Sequence, residues 1–546
     1  MTHHAPSSGG EDTGRRQFLT LTTGAAAGAA ALAGCADQDA GGRGGPAAAR
    51  IANGRADHPR PGPLDTRAEN SRPGNADWRI TTTGPAHAIE GYADRVSVLP
   101  GESFGLHVST VAARFTVSAY RMGWYGGARA RLVWRSEAVR GTRQPGPEFD
   151  ERTRTVRTRW PRTLDVDTTG WPEGSYLLRL DAIDASATAR GARATTRGAH
   201  GTAGQRYVPV TVRSAATTGR TVLVNAVTTW QAYNRWGGYD SYVGESGHYG
   251  SRSLAVTFDR PYRYEKGAGL FLVYEAPLIA LAERLGLPLA YTTTVDVARE
   301  RHLLKGATTV VSLGHDEYWS PEQRAHITAA RDAGTNLAIL GANCCYRRIR
   351  LEDTELGPDR TVVCYKSAYA QDPGFRRGQP ATVDFRAGPG AAPESDLLGV
   401  IYDGYPVDAP YVVTHPGHWL FEGTGVAAGD SFPHLVGVEY DKVNTDFPTP
   451  RPMEILAHSP VMCAGRPSHQ NSAYYTLPGG AGVFASGTMR WVEALDAHGD
   501  GSTGANHGLD ARAGALTRRV TENLLRTFAR GPAAHTHPAR DNLAEV

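Results

Sequence analysis

Between residues 221 and 343, short apolar segments alternate with amphipathic ones, and this alternation is the strongest constraint on the fold. The segments "TVLVNAVTTW", "LPLAYTT", "ATTVVSLGHDEYW" and "TNLAILGANCCY" each begin as a buried strand. Between them, "EAPLIALAERLG" has helical spacing, and "SPEQRAHITAARDAG" starts with a Ser N-cap and a Pro and stops at a Gly. Strand–helix–strand units joined by short loops predict a parallel, doubly wound α/β sheet.

Polar and aromatic residues follow three of these strands. The strand ends read "TWQAYN" at 229–234, "GHDE" at 314–317 and "GAN" at 341–343. The carboxyl ends of parallel strands meet at one edge of the sheet, where this topology binds ligands. Capping and turn formation are the structural alternative for such residues. A turn does not require a run of titratable side chains, however, so the pattern predicts a functional site at this edge.

The regions on either side of the α/β segment are rich in strands. Residues 77–213 contain period-2 segments such as "RFTVSAYRMGWYGG" and "GSYLLRLDA", which predict an antiparallel β-sandwich. A low-complexity stretch at 185–203 indicates a surface insertion. After about residue 355, scattered strands and a final helix indicate extra β layers packed on the α/β core. We therefore predict an α/β plus β fold, with one domain at 77–213 and another at 218–535.

The composition does not favour a nucleic-acid-binding protein. The 546-residue chain has 58 Lys and Arg against 55 Asp and Glu, and the net charge of +3 is spread without a basic block. A nucleic-acid-binding domain would instead present clustered positive charge. An apolar content of 40% is enough to build the cores of two or three domains. We expect no nucleic-acid partner.

The first 76 residues indicate export and anchoring. Residues 14–19, "GRRQFL", form a twin-arginine signature ahead of a weakly apolar run, and "LAGC" ending at Cys35 is typical of a lipoprotein cleavage box. A plain signal peptide with an incidental Cys35 is the alternative. We expect 1–35 to be the signal and 36–76 a disordered tether. The mature protein would be anchored to the outer face of the cell membrane through lipidated Cys35.

Four further cysteines follow Cys35, and their pairing stays open. In an exported chain they allow one or two disulfides, and the absence of C-x-x-C argues against structural zinc. A nucleophilic Cys344 or Cys345 after the strand "LAIL" is a rival hypothesis. The sequence "GANCCY" lacks the G-x-C-x-G elbow that such a turn needs. Structural or disulfide-bonded cysteines are therefore favoured.

Six motifs occur in one order along the chain: "RMGWYGG", "TWQAYNRWGG", "GHDEYWS", "GANCCYRR", "GVEYD" and "YYTLPGGAGVFASGTMRW". No one of them is specific, but the ordered set resembles the large (beta) subunit of N,N-dimethylformamidase and the wider family that shares its C-terminal region. The resemblance covers roughly residues 90 to 530 of the chain. It implies an Ig-like or lectin-like β-sandwich beside a glutamine-amidotransferase-like α/β domain.

The resemblance also implies a mononuclear Fe(III) held by two tyrosinates and one carboxylate. Motif matching assigns the carboxylate to Glu317 and one tyrosine to Tyr233. The second tyrosine is assigned to Tyr176, with Tyr239 and Tyr242 as alternatives. Phenolate and carboxylate oxygens are hard donors that suit such a cation. The iron would act as a Lewis acid and lower the pKa of bound water.

Three further residues are assigned to the same pocket by the resemblance. His315 would pass a proton to the leaving amine, and Asn343 would hold a substrate carbonyl or oxyanion. Glu439 is assigned as an additional acidic residue, with Glu454 as its competitor. If the strand continued through "GHDE", His315 and Glu317 would share one face, as residues i and i+2 do.

These assignments predict a metal-dependent hydrolase that cleaves an amide-type C–N bond of a small molecule with iron-bound water. A homo-oligomer is compatible with the sequence. Dimethylformamide itself is a poor candidate substrate, because the chain carries an export signal. The alternative is a non-catalytic cell-surface glycan-binding protein that stacks sugars on exposed rings. The candidate rings, for which core packing is the structural alternative, are Trp124, Tyr125, Trp230, Trp236, Tyr239 and Tyr242.

Overall fold

The computed structural model describes residues 62–183, 202–497 and 507–545. The twin-arginine segment, Cys35, the tether up to residue 61 and residues 185–201 of the predicted insertion lie outside these ranges. Within them the protein has the mixed α/β architecture and the many β-sheets that the sequence predicts. No helix in these three ranges combines the length and the apolar character needed to cross a membrane.

Two β-sheets in the N-terminal part enclose one apolar core. The strands are β1 (Ile89–Ala93), β2 (Ser97–Val98), β3 (Ser103–Thr110), β4 (Arg114–Met122), β5 (Ala130–Arg135), β6 (Val139–Arg140), β7 (Glu148–Asp150), β8 (Thr155–Arg157), β9 (Leu164–Asp167), β10 (Gly174–Ile183) and β11 (Thr202–Val212). One sheet has the order β1–β3–β9, and the other has the order β2–β11–β10–β4–β5, with β6 also paired with β4, while β7 and β8 form a separate two-stranded sheet. Inward-facing Leu106, Val117 and Leu178 meet in this core, as the period-2 pattern predicts. Pairing is antiparallel except between β2 and β11.

The predicted tether does not extend to residue 76. Helix α1 (Thr66–Asn70) begins at Asp65, whose side chain accepts hydrogen bonds from two backbone N–H groups of the first turn. The Glu69 carboxylate accepts a 2.7 Å hydrogen bond from the Tyr125 hydroxyl. The Asn70 side chain accepts from the backbone N–H of Trp124 and of Tyr125. These polar side chains pair with donors of Trp124 and Tyr125 that would otherwise lack partners. The low hydrophobicity of the segment does not reveal this role.

The central sheet has seven strands and carries the predicted site. In spatial order they are β14 (Leu289–Thr293), β12 (Thr221–Asn225), β15 (Thr309–Ser312), β17 (Asn336–Ile339), β25 (Gly482–Ala485), β24 (Arg466–Thr476) and β23 (Met453–Cys463). The first five are parallel, which confirms the prediction for residues 221–343. The last two pair antiparallel and extend the sheet.

Helices connect the parallel strands, and two of them lie where the sequence predicts a helix, within 275–286 and after Ser320. They are α2 (Val227–Ala232), α3 (Phe271–Tyr274), α4 (Ala276–Arg284), α5 (Thr294–Arg299) and α6 (Pro321–Asp332). The Ser320 hydroxyl caps α6 by accepting from the Gln323 N–H at 3.1 Å. Gly334 has a φ of 99°, which an L side chain rarely adopts, so the helix ends there.

The remaining described strands form three smaller sheets besides the central one. The strands are β13 (Ala255–Thr257), β16 (Tyr318–Trp319), β18 (Arg347–Arg348), β19 (Arg350–Thr354), β20 (Gly357–Val363), β21 (Ile401–Val412) and β22 (Ser431–Lys442). The helices are α7 (Pro373–Arg376), α8 (Ser395–Leu398), α9 (Trp491–Ala494) and α10 (Ala511–Phe528). Helix α10 is the predicted final helix, and its buried face includes Leu516, Val520 and Leu524.

Candidate metal centre

Two loops at the carboxyl ends of β15 and β17 run side by side and carry three of the six predicted site residues, His315, Glu317 and Asn343. The Cys345 N–H donates to the Asp316 carbonyl at 2.9 Å, and the Tyr346 N–H donates to the Glu317 carbonyl at 3.0 Å. Gly341 lies so close to Gly314 that a Cβ there would be 2.1 Å from its carbonyl oxygen. Only glycine permits this approach, and it brings both strand ends together.

Glu317 is the centre of the site and is bound by two tyrosines. The Tyr233 hydroxyl donates to Oε2 of Glu317 at 2.6 Å. The Tyr242 hydroxyl donates to Oε1 of the same carboxylate. The Glu317 side chain is fully buried, and the two tyrosine rings lie 5.0 Å apart. Three oxygen-bearing side chains from separate parts of the chain therefore converge on one point.

The structure does not bring Tyr176 to this cluster. Tyr176 lies on β10, where its ring stacks on Trp171 in the N-terminal core and its hydroxyl donates to the Pro172 carbonyl. Tyr239 also lies outside the cluster, because its hydroxyl contacts Glu245 at 3.4 Å. Tyr242, one of the two alternatives, is the second tyrosine whose hydroxyl donates to Glu317. The assignment of Tyr176 is corrected accordingly.

His315 lies next to the cluster and has unsatisfied hydrogen-bonding capacity. Its Nε2 is 3.6 Å from Oε2 of Glu317, and its ring centroid is 5.1 Å from that of Tyr233. The residue is only 2% exposed, yet neither ring nitrogen has a hydrogen-bond partner. The strand ends at Ser312, so a continuous strand is not what places His315 beside Glu317. A buried polar group without a partner is rare and is a mark of a functional position.

Asn343 is held by two carboxyl groups. Its backbone N–H donates to Asp441 at 2.8 Å, and its Nδ2 donates to Glu439 at 2.7 Å. Its Oδ1 is buried and has no hydrogen-bond partner. Glu454 lies in a different cluster, 3.0 Å from Nε2 of His418. The geometry therefore groups Glu439, rather than Glu454, with Asn343.

Asp441, beside Asn343, is a buried carboxyl group with an unusual proton affinity. Burial raises its pKa to about 8, while the hydrogen bond from the Asn343 N–H acts in the opposite direction. An aspartate in an unfolded chain titrates near 4. Between these two values the folded state keeps a proton that the unfolded state has lost. The stability from this group is fully present below about pH 4 and is lost as the pH rises through about 8.

Replacement of Asp441 by asparagine is expected to make the stability of the metal-free protein less sensitive to pH. The wild type should lose up to about 1.4 kcal/mol per pH unit from this group between about pH 5 and 8. The introduced amide cannot titrate but retains an oxygen for the Asn343 N–H. Urea unfolding at several pH values measures the slope. Glu151→Gln, at an exposed position, is the control, and equal slopes for both variants would contradict the expectation.

The cysteines do not form the rival nucleophilic site. Cys344, Cys345 and Cys364 are buried free thiols, so none of these three forms a disulfide with another described cysteine. Burial raises the pKa of the Cys344 and Cys345 thiols. A nucleophilic cysteine requires the opposite shift. These cysteines pack inside the protein.

The aromatic residues considered for glycan binding are mainly core residues. Four of the six are buried: Tyr125, Trp230, Trp236 and Tyr242. Trp230 contacts Phe271 and donates from its indole N–H to Glu275 at 2.7 Å. Sugar stacking requires an accessible ring face, and these four rings are used for packing.

The fold and the cluster together show to which class the protein belongs. It is a mixed α/β protein with a buried cluster of two phenols and one carboxylate at the carboxyl ends of parallel strands. In the described ranges, no group of three or more His, Cys, Asp or Glu residues is arranged to hold a metal ion. The present cluster is of another kind, because two of its three donors are phenols.

The family described as N,N-dimethylformamidase beta subunit-like, C-terminal, matches residues 116–506. The match covers most of the chain, and the protein belongs to this family. The resemblance expected from the ordered motifs is thus confirmed. A search of curated proteins finds no match.

Proposed function

We propose that the protein is a metal-dependent hydrolase of an amide-type C–N bond, with Tyr233, Tyr242 and Glu317 as the ligands of one Fe(III) ion. The observation that carries the proposal is the convergence of both phenol oxygens on the two carboxylate oxygens of buried Glu317. The family is named for an amide-cleaving enzyme, and this name supports the type of bond.

The donor set fits Fe(III) in hardness and in charge. Phenolate and carboxylate oxygens are the hard donors that such a cation prefers. Fully deprotonated, the three side chains carry three negative charges, as many as the positive charges of Fe(III), and Arg347 and Lys366 are further cations at the edge of the cluster. Buried charges require this kind of compensation. In the metal-free cluster the phenol protons bridge to Glu317, and a cation would take their place. When bound, Fe(III) supplies Lewis acidity that polarises a carbonyl and acidifies water.

His315 and Asn343 supply the remaining polar contacts for the reaction. Hydrolysis adds a water oxygen to the carbonyl carbon, breaks the C–N bond and requires a proton on the departing nitrogen. The unpartnered ring nitrogens of His315 are suited to take a proton from water and return it to that nitrogen. Nδ2 of Asn343 is used by Glu439, so the group it offers to a substrate is the acceptor Oδ1 rather than the donor that the expected carbonyl or oxyanion contact would need. This favours a substrate amide that bears an N–H.

We also propose the two domain folds that the resemblance implies and the export and anchoring that the N-terminal sequence indicates. The Ig-like or lectin-like sandwich is supported by the two facing sheets at 89–212. The glutamine-amidotransferase-like domain is supported by the five parallel strands with intervening helices. The sequences "GRRQFL" and "LAGC" support export by the twin-arginine route and anchoring at Cys35. Mass spectrometry of the mature chain tests the anchor, and an unmodified Cys35 would refute it.

Metal analysis and visible spectroscopy of the purified protein test the metal assignment. About one iron per chain is expected, with the visible absorption band that charge transfer from tyrosinate to Fe(III) produces. The activity is tested with primary and secondary amides. The release of ammonia from the former and of an amine from the latter measures hydrolysis. The protein is isolated after growth in iron-rich medium and is then treated with added Fe(III). If it contains no iron and takes none up, the proposal is overturned.

Replacement of Tyr242 by phenylalanine is expected to lower iron content severely and to remove most amide hydrolysis, because one of three ligands is lost. Tyr176→Phe is the matched control, since it removes the hydroxyl of another buried tyrosine. This control should retain iron and the visible band. Iron loss in Tyr176→Phe with retention in Tyr242→Phe would restore the assignment made from sequence.

A further inference from the structure

Lys366 is a fully buried lysine whose ammonium group contacts Tyr242. It follows β20, and its Nζ lies 3.4 Å from the centroid of the Tyr242 ring. The rings of Tyr249 and Tyr318 are further away, at 5.4 and 5.6 Å. A buried lysine is rare because removal of its charge from water is unfavourable. The proposed reaction does not use this residue, so its burial requires another explanation.

The same ammonium group also holds the backbone next to Tyr242. Nζ of Lys366 donates to the Ser241 carbonyl at 2.7 Å. On the other side of this peptide, Oδ1 of Asp240 accepts from the N–H groups of Tyr242 and Val243 at 2.7 and 2.8 Å. Tyr242 belongs to no helix or strand. These side-chain contacts therefore help to place it, together with the hydrogen bond from the Ser241 N–H to the Ala232 carbonyl at 2.9 Å.

The backbone of Lys366 is itself fixed in an unusual conformation. Its φ is 57°. Residues other than glycine, asparagine and aspartate seldom adopt a positive φ. Its N–H donates to the Thr382 carbonyl at 2.8 Å. Strain of this kind persists where the surroundings impose it, and it is frequent at functional sites. The chain is thus held in the conformation that directs Lys366 to Tyr242.

We propose that Lys366 is a positioning residue that fixes Tyr242 against Glu317 and lowers the electron donation of its oxygen to a bound cation. The positioning part rests on the contacts above, whereas the electronic part rests on the proposed function. A cation over an aromatic face is attracted to the π electrons, so the ring is held from its face while the hydroxyl is held by Glu317. The positive charge also stabilises negative charge on the ring oxygen.

The electronic part predicts a spectroscopic change. A positive charge near a tyrosinate lowers the energy of its donor orbital, so charge transfer to Fe(III) requires more energy. Removal of the charge should therefore move the band to longer wavelength. Arg347, whose Nε is 3.3 Å from Oε1 of Glu317, is a second nearby cation and remains in all variants. A purely structural role for Lys366 would not move the band of the protein that still folds and binds iron.

The experiment compares Lys366→Met, Lys366→Arg and Lys366→Gln with the full-length wild type. In the metal-free proteins, hydrogen exchange at the amides of Tyr242 and Val243 is measured. Lys366→Met should raise these exchange rates about tenfold or more, because the contact to the Ser241 carbonyl is lost. Lys366→Arg, which retains charge and donors, should remain close to the wild type. Lys266→Met is the control, since Lys266 also donates to a backbone carbonyl, that of Ile80.

In the iron-loaded proteins, the wavelength of the visible band is measured. Lys366→Met should shift it to longer wavelength and Lys366→Arg should restore it. Lys366→Gln retains a donor without charge and serves if the methionine variant does not fold. It should shift the band with a smaller change in exchange. Unchanged exchange in the uncharged variants would overturn the positioning role, and an unchanged band would overturn the electronic role. Absence of iron from the wild type would refute the proposed function, while the exchange measurement would still decide the positioning role.

Discussion

Glu317→Gln is expected to abolish iron binding and to reduce amide hydrolysis by about a thousandfold or more, the scale of a lost Lewis acid worth several kcal/mol. Glutamine has nearly the same shape but no negative charge. Its amide group would present N–H donors to Tyr233 or Tyr242, which now donate to the carboxylate. The three proposed ligands would then have one negative charge and one hydrogen-bond acceptor fewer. Iron per chain, the visible band and the rate of amine release measure the effect.

Glu454→Gln is the matched control for this substitution. Glu454 is also a buried glutamate, and it contacts His418 in a separate cluster. This variant should retain iron and most of the hydrolysis rate, although its stability will change. If Glu317→Gln bound iron as the wild type does, the assignment of Glu317 as a ligand would be wrong. Comparison of the two variants separates the loss of a ligand from the general effect of changing a buried carboxylate.

Glu283→Ala is expected to lower the free energy of unfolding of the metal-free protein by about 3–5 kcal/mol, the effect of leaving one partner of a buried ion pair uncompensated. Glu283 on α4 and Arg121 on β4 are both fully buried, and Nη2 of Arg121 is 2.5 Å from Oε1 of Glu283. Tyr291 and Asn70 also donate to the Glu283 carboxylate. Urea denaturation followed by tryptophan fluorescence measures the loss.

Arg121 explains why this loss should be large. Its guanidinium also donates to the Glu173 carbonyl and to the Tyr125 hydroxyl. The pair therefore joins the N-terminal strands, helix α1 through Asn70, and the helix α4 of the central sheet. Without Glu283, a buried positive charge would remain among neutral partners.

An exposed ion pair gives the control for Glu283→Ala. Arg162 and Asp165 are 2.8 Å apart, with side chains 55% and 71% exposed. Asp165→Ala should change the free energy of unfolding by about 1 kcal/mol or less, because solvent screens such pairs. Equal effects of the two substitutions would show that burial of the Glu283 pair does not determine its contribution.

The amino-acid sequence by itself determined the parallel strands, both ends of helix α6 and one side of the site. The apolar runs that end near residues 225, 313 and 340 are removed from water on all sides only in strands that are buried on both faces of a sheet. Ser320 and Gly334 limit α6 through local capping, which needs no tertiary information. Residues that directly follow these strands, such as Glu317 and Asn343, could be placed at one sheet edge for the same reason.

Only the tertiary structure decided which side chains complete the cluster. Tyr176 and Tyr242 are both tyrosines near glycines, and the sequence offered no periodic pattern to distinguish them. Tyr242 reaches Glu317 because Asp240 and Lys366 fix an irregular loop. Such a path is set by contacts between residues far apart in the chain, whereas local propensity governs strands and helix caps. The ordered segment 62–76 has the same explanation, since its polar side chains are ordered by partners elsewhere in the fold.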